Sequence, residues 1–131
     1  MDTQEEIKIF NAAAATTTAG LPQLVENFRH VMLTLATSGS ANFTIKFQIS
    51  NSREKPDFAA ARSITNRWEY VNVKDCQNNT GIDGDTGVAF AGTDDVRMFE
   101  VNTDGQKWIS ASITAYAAGA ISLWSKPFNG N

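Results

Sequence analysis

Phe43-Thr44-Ile45-Lys46-Phe47-Gln48-Ile49-Ser50 is the stretch that decides the fold class. Large apolar residues at 43, 45, 47 and 49 alternate with polar ones at 44, 46, 48 and 50. A period of two puts the two sets on opposite faces of an extended chain, the mark of a half-buried antiparallel strand. The run before it repeats the pattern. Val31, Leu33 and Leu35 alternate with His30, Met32 and Thr34, and Ser38-Gly39-Ser40 closes that strand.

Working toward the C-terminus, residues 51–56 read as a polar loop, and residues 57–61 fit either a helical turn or a weak strand. Strand character returns at 68–73, where Trp68, Tyr70 and Asn72 alternate with Glu69, Val71 and Val73. The Asn, Asp and Gly density of residues 75–87 marks a long exposed loop. Residues 88–91 and 96–101 read as short strands around Gly92-Thr93-Asp94-Asp95. Asn102-Thr103-Asp104-Gly105 ends on the Asp-Gly chemistry of a tight turn, so a hairpin is expected over residues 97–116. Ala118-Gly119 then turns the chain into a last strand, and Pro127 ends the pairing. Seven or eight short strands with regular turn signals predict an all-β fold, an antiparallel β-sandwich of jelly-roll or Greek-key type. No internal repeat suggests a propeller or solenoid.

Toward the N-terminus, residues 11–20 are mostly Ala and Thr, which offer little surface to bury. Thr16, Thr17, Thr18, Gly20 and Pro22 would stop an Ala-rich helix early. Residues 1–27 are therefore expected to form an extended arm, with residues 28–131 as the β-sandwich domain. A chain of 131 residues suits one core without disulfide or metal staples. Its formal charge of -3, with 11 scattered basic residues, lacks the electrostatic footprint of a nucleic-acid binder. The acidic start, with Asp2, Glu5 and Glu6, is unlike a secretion signal, and no stretch reads as a membrane span.

Catalytic chemistry is not expected. His30 is the single histidine and has no identifiable orienting partner, and no nucleophile-elbow context surrounds any serine. Cys76 is the single cysteine, so neither a disulfide nor a cysteine zinc cluster can form within the chain. Asp83-Gly84-Asp85-Thr86-Gly87 looks like part of a calcium loop, but a third acidic position and a terminal Glu are missing. A solvated turn is the simpler reading; any calcium would sit between Asp83-Asp85 and Asp94-Asp95. No cofactor or metal is expected. Trp108 and Tyr116 share the strand face of Ser110, Ser112 and Thr114, and Trp124 falls with Ala120 and Ser122. These three aromatics are the candidates for stacking on sugar rings in an alternative reading as a carbohydrate-binding module. Asn42-Phe43-Thr44 and Asn78-Asn79-Thr80 match the glycosylation sequon by chance.

The run Asn66-Arg67-Trp68-Glu69-Tyr70-Val71-Asn72-Val73-Lys74-Asp75, the loop Ile82-Asp83-Gly84-Asp85-Thr86-Gly87-Val88, the block from Gly92-Thr93-Asp94-Asp95-Val96-Arg97 to Asn102 and the segment Ile113 to Gly119 resemble small β-sandwich virion proteins of tailed bacteriophages. The resemblance spans residues 28–127 and is one of pattern, not of a signature motif. It implies a non-enzymatic structural role in the virion: a capsid decoration or cement protein, a head-fibre component or a tail accessory protein. The implied partners are the major capsid protein or other virion proteins and further copies of the chain, with host-surface glycans as a possible external ligand. Attachment is expected through the arm, with Ile7, Ile9 and Phe10 as its contact residues, within a partner-binding stretch of residues 7–18.

Overall fold

The computed structural model describes residues 6–15 and 19–129. Nine strands make up the described fold, without a helix: β1 (Ile7–Ala13), β2 (Gln23–Leu24), β3 (His30–Ser50), β4 (Glu69–Tyr70), β5 (Val73–Asp75), β6 (Thr80–Ile82), β7 (Val88–Ala91), β8 (Val96–Asn102) and β9 (Trp108–Phe128). All pairings are antiparallel and belong to one sheet. The fold is all-β.

The organising element is the 21-residue pair β3 and β9, which stay in register from Ser50↔Trp108 to His30↔Phe128 except around a bend. Ser38-Gly39-Ser40 and Ala118-Gly119 mark that bend; they neither end a strand nor close a hairpin. Gly39 (φ 74°), Ser40 (φ 56°) and Gly119 (φ 89°) adopt the left-handed region there. A Cβ on Gly119 would lie 2.6 Å from Ala41 Cα and 2.7 Å from the Ser38 carbonyl oxygen, so the crossing admits only glycine.

The bend divides the sheet into two lobes. In the first, β1, residues 120–128 of β9, residues 30–38 of β3, β8, β5 and β6 lie side by side. In the second, β2, residues 108–118 of β9 and residues 42–50 of β3 are joined by β4 and β7. The inner faces meet: Phe47 of the second lobe lies 6.0 Å from Phe99 of the first, in a core with Leu33, Leu35, Ile45, Ile109, Ile113, Ile121 and Leu123. Full burial of side chains of this kind contributes roughly 1.5–3 kcal/mol each.

Three expectations are corrected. Residues 102–105 do not close a hairpin over 97–116, because β8 and β9 flank opposite sides of β3. Their connection crosses the end of β3, where the Thr103 amide donates to the Arg29 carbonyl (2.7 Å). Pro127 does not end the pairing either, since β9 runs on to Phe128 with Pro127 opposite Val31. The residue 75–87 loop contains β6, an edge strand paired with β5.

The N-terminal arm is also corrected. β1 pairs with β9 (Ile7↔Ser125, Lys8↔Trp124, Phe10↔Leu123), and a register shift between Lys8 and Phe10 turns two successive residues inward. Ile9 and Phe10 are consequently 4% and 3% exposed and belong to the core. Gly20 and Leu21 then tie the lobes together, donating to the Ala111 (2.9 Å) and Ile9 (3.0 Å) carbonyls, and Val25 is fully buried. The domain therefore includes residues 7–25 as far as they are described. Weighing only the small residues of 11–20 passes over the Ile7-Lys8-Ile9-Phe10 run, which carries the burial. Ile9 and Phe10 are thus unavailable to a partner and Ile7 is half-buried; Thr16, Thr17 and Thr18 lie outside the described residues.

Candidate ligand cleft and open sheet face

The three aromatics that are candidates for sugar stacking are dispersed. Trp108 sits at the far end of the second lobe, opposite Ser50, with its indole N–H donating to the Ser52 carbonyl (3.1 Å). Trp124 lies in the first lobe opposite Thr34, with Lys8 Nζ 5.1 Å from its ring centroid. Tyr116 is displaced inward: a register shift between Ile45↔Ile113 and Thr44↔Ala115 places it opposite Phe43, whose ring stacks on it at 6.5 Å and 12°. Its hydroxyl donates to the Gly119 carbonyl (3.0 Å).

Of the acidic residues, Asp83 and Asp94 are engaged in holding backbone. Asp83 caps its own turn through the Asp85 amide (2.8 Å), and Asp94 accepts from the Ser40 and Ala41 amides (3.3 and 3.2 Å), holding the bend. Among the described residues no group of three His, Cys, Asp or Glu side chains is placed to hold a metal ion. His30 stacks on Phe128 at 5.2 Å. Asp75 is buried and pairs with Arg97, also accepting from the Gln77 amide (2.9 Å) and Asn78 Nδ2 (3.1 Å). Burial resists ionisation of Asp75, but Arg97 and the two further donors outweigh it and hold the carboxyl below its ordinary 3.8.

Two surfaces remain. The first arises from an unexpected burial. Alternation places Gln48 and Ser50 on the solvent face of β3, yet they are 1% and 3% exposed, as are their neighbours Ser110 and Ser112 of β9 at 0% and 7%. Residues 51–68 fold over this polar face. Residues 57–61 form neither helix nor strand but a turn, fastened by Asn66, whose side chain accepts from the Asp57 amide (2.9 Å) and donates to the Asp57 and Ala61 carbonyls (2.9 and 3.1 Å). The Trp68 indole donates to the Ala60 carbonyl (3.1 Å), and Gln48 Nε2 donates to the Phe58 carbonyl (3.0 Å), seating Phe58 in the interior.

Between this loop and the sheet lies a cleft of about 380 Å³, lined by Gln48, Phe58, Arg62, Trp68, Tyr70, Ser112 and Thr114 together with Ala59, Ala60 and Ala61. Trp68 meets Tyr70 edge-on at 5.1 Å and Phe58 at 6.3 Å. The Arg62 guanidinium lies 5.5 Å from the Trp68 ring and 5.2 Å from the Tyr70 ring, and Lys46 Nζ lies 4.9 Å from the Tyr70 ring. Of the lining side chains, Gln48 Oε1 and Ser112 Oγ are buried without a hydrogen-bond partner among the described residues. A buried polar atom left so costs about 1–3 kcal/mol. Sequence reasoning placed Trp68 and Tyr70 on one strand face, the available signal, but nothing in it linked Arg62 to them.

The second surface is the outer face of the first lobe. Pairing sets its residues in rows across the strands: Ser122, Ala36 and Val96; Trp124, Thr34 and Met98; Lys126, Met32, Glu100 and Lys74. Val96 and Met98 are 63% and 51% exposed, and no described element covers them. Lys74 Nζ lies 3.9 Å from Glu100 Oε2.

No family model matches the chain, and no curated protein matches it in sequence. Among solved structures, the crystal structure of the SPBc2 prophage-derived protein YomS is similar in fold, with a TM-score of 0.69 over 96% of this chain and 92% of that chain, at 10% sequence identity. The chain thus shares its fold with a prophage-derived protein.

Proposed function

We propose that this chain is a non-enzymatic structural protein of a phage particle, a decoration, cement or head–tail accessory subunit, and that it assembles by packing the open face of its first lobe against a second copy. The prophage origin of the protein sharing its fold supports the phage setting. The self-complementary pattern of the face carries the assembly reading.

A two-fold axis lying in the interface along β3 keeps each row in place and exchanges the β9 side for the β8 side. Lys126 then faces Glu100 of the partner copy, Trp124 faces Met98, and Ser122 faces Val96, while Ala36 and Thr34 meet their own copies. Met32, also on β3, falls on the axis with Ala36 and Thr34 and meets its own copy, while the Trp124–Met98 pairs pack on either side. Five strands at about 4.8 Å by about seven residues at 3.3 Å give a face of roughly 550 Å² in projection. That lies at the small end of stable interfaces, so pairing depends on concentration and is strengthened when copies are held close on a particle.

Sedimentation velocity over a concentration series tests the proposal. The wild type is expected to dimerise, Lys126→Glu to weaken the dimer, and Lys126→Glu with Glu100→Lys to restore it. A wild type that stays monomeric, or a double variant no better than the single one, refutes it.

A further inference from the structure

We propose that the cleft between residues 56–62 and the polar face of β3 and β9 is a binding site for a carboxylate-bearing sugar unit, such as a uronic acid within a polysaccharide. The site is built on the second lobe and stands independently of self-association through the first.

The chemistry of the lining selects the ligand. Gln48 is 1% exposed, and because its Nε2 is committed to the Phe58 carbonyl (3.0 Å), its unpartnered Oε1 requires a donor. Ser112 Oγ, 7% exposed on the neighbouring strand and also unpartnered, can accept or donate. Both side chains line the cleft, so the hydroxyls of a ligand seated there are the partners they lack, whereas an apolar ligand offers none. Trp68 and Tyr70, half-buried, edge-on to each other and held by the Trp68 indole bond to Ala60 (3.1 Å), supply aromatic surface for the C–H face of a pyranose once Arg62 turns off their rings. The volume of about 380 Å³ falls in the range of small-molecule sites.

Charge narrows the class further. Arg62 lines the cleft and no carboxylate does, so the rim favours an anion. The guanidinium rests over the Trp68 and Tyr70 rings at 5.5 and 5.2 Å, exposed and without an ion pair among the described residues, and can turn from the rings to a ligand carboxylate in a bidentate hydrogen bond. A single arginine of this kind suits one carboxylate per unit. The sustained phosphate track of a nucleic acid needs a row of cations, and among the described lining residues Arg62 is the one cation.

The test is NMR titration of the full chain with methyl glucuronide, methyl glucoside and a short single-stranded oligonucleotide, each to about 10 mM, a range that detects the weak affinity of single sugar units. Methyl glucuronide is expected to shift the Gln48 and Arg62 side-chain signals and the Trp68 indole signal, and to bind about tenfold tighter than methyl glucoside, the margin of one charge-assisted contact. Arg62→Gln, an exposed change that leaves folding intact, should remove that margin and keep the weak neutral binding; Ser112→Ala should weaken both sugars. Cys76→Ser, exposed on the other lobe, should change neither. Absence of shifts at the cleft, an unchanged margin in Arg62→Gln, or oligonucleotide binding there in place of sugar overturns the proposal.

Discussion

Replacing Phe10 by alanine removes a ring that is 3% exposed and packed in the common core, yet lies in a segment whose composition reads as an unfolded arm. Phe-to-Ala changes in closed cores cost about 3–5 kcal/mol, the lost transfer energy plus the cavity left behind. Phe10 sits on an edge strand, held by β9 on one side, so partial collapse of β1 into the gap favours the lower end, about 3 kcal/mol. Urea unfolding followed by tryptophan fluorescence reads this directly. With a slope of about 1.5 kcal/mol per molar, typical of a domain of this size, the midpoint should fall by about 2 M with the slope unchanged. Ile7→Ala, at a half-buried position in the same strand, should cost no more than about 1 kcal/mol. If Phe10→Ala shifts the midpoint no more than Ile7→Ala does, β1 is not part of the cooperative unit and the reasoning fails.

Two further predictions concern the bend and the buried ion pair. Gly119→Ala combines a positive φ with a Cβ 2.6 Å from Ala41 Cα, and thermal unfolding should show a loss larger than the roughly 1 kcal/mol typical of a point substitution, because the lobes cannot close without displacing backbone. Asp75 is held below its ordinary 3.8 in the folded state, so its contribution is fully present above that value and is lost as pH falls through the lower, folded one. Asp75→Asn should therefore lower stability at neutral pH and flatten its decline below about pH 3.8, as measured by denaturant midpoints across pH.

The strand class was legible because residues 43–50 and 30–35 obey the two-residue period that only an extended, one-face-buried chain rewards. What escaped was decided by long-range partners. Gly119 reads as a hairpin turn from local chemistry, and only the approach of Ala41 and Ser38 makes it a bend through which both long strands continue. Gln48 and Ser50 read as solvent-facing because alternation does not reveal that residues 51–68 return over them. Tyr116 was misplaced by the register shift near Thr44 and Ile45, which turns it inward opposite Phe43 before the original register resumes beyond the bend at Ser38↔Ala120. The Trp68–Tyr70 half of the cleft was visible as a strand face; its Arg62 half depends on the loop closure that Asn66 makes.

The assembly through the first lobe is tested most directly by crosslinking with residue-level geometry. In a Cys76→Ser background, the proposed dimer puts Ala36→Cys on its two-fold axis, with the thiol facing its own copy across the ~10 Å spacing of packed sheets. A short bismaleimide of matching reach should join two chains through Ala36→Cys and should leave Ala115→Cys, exposed on the second lobe, monomeric. Equal crosslinking at the two positions, or none at Ala36→Cys, would contradict the account.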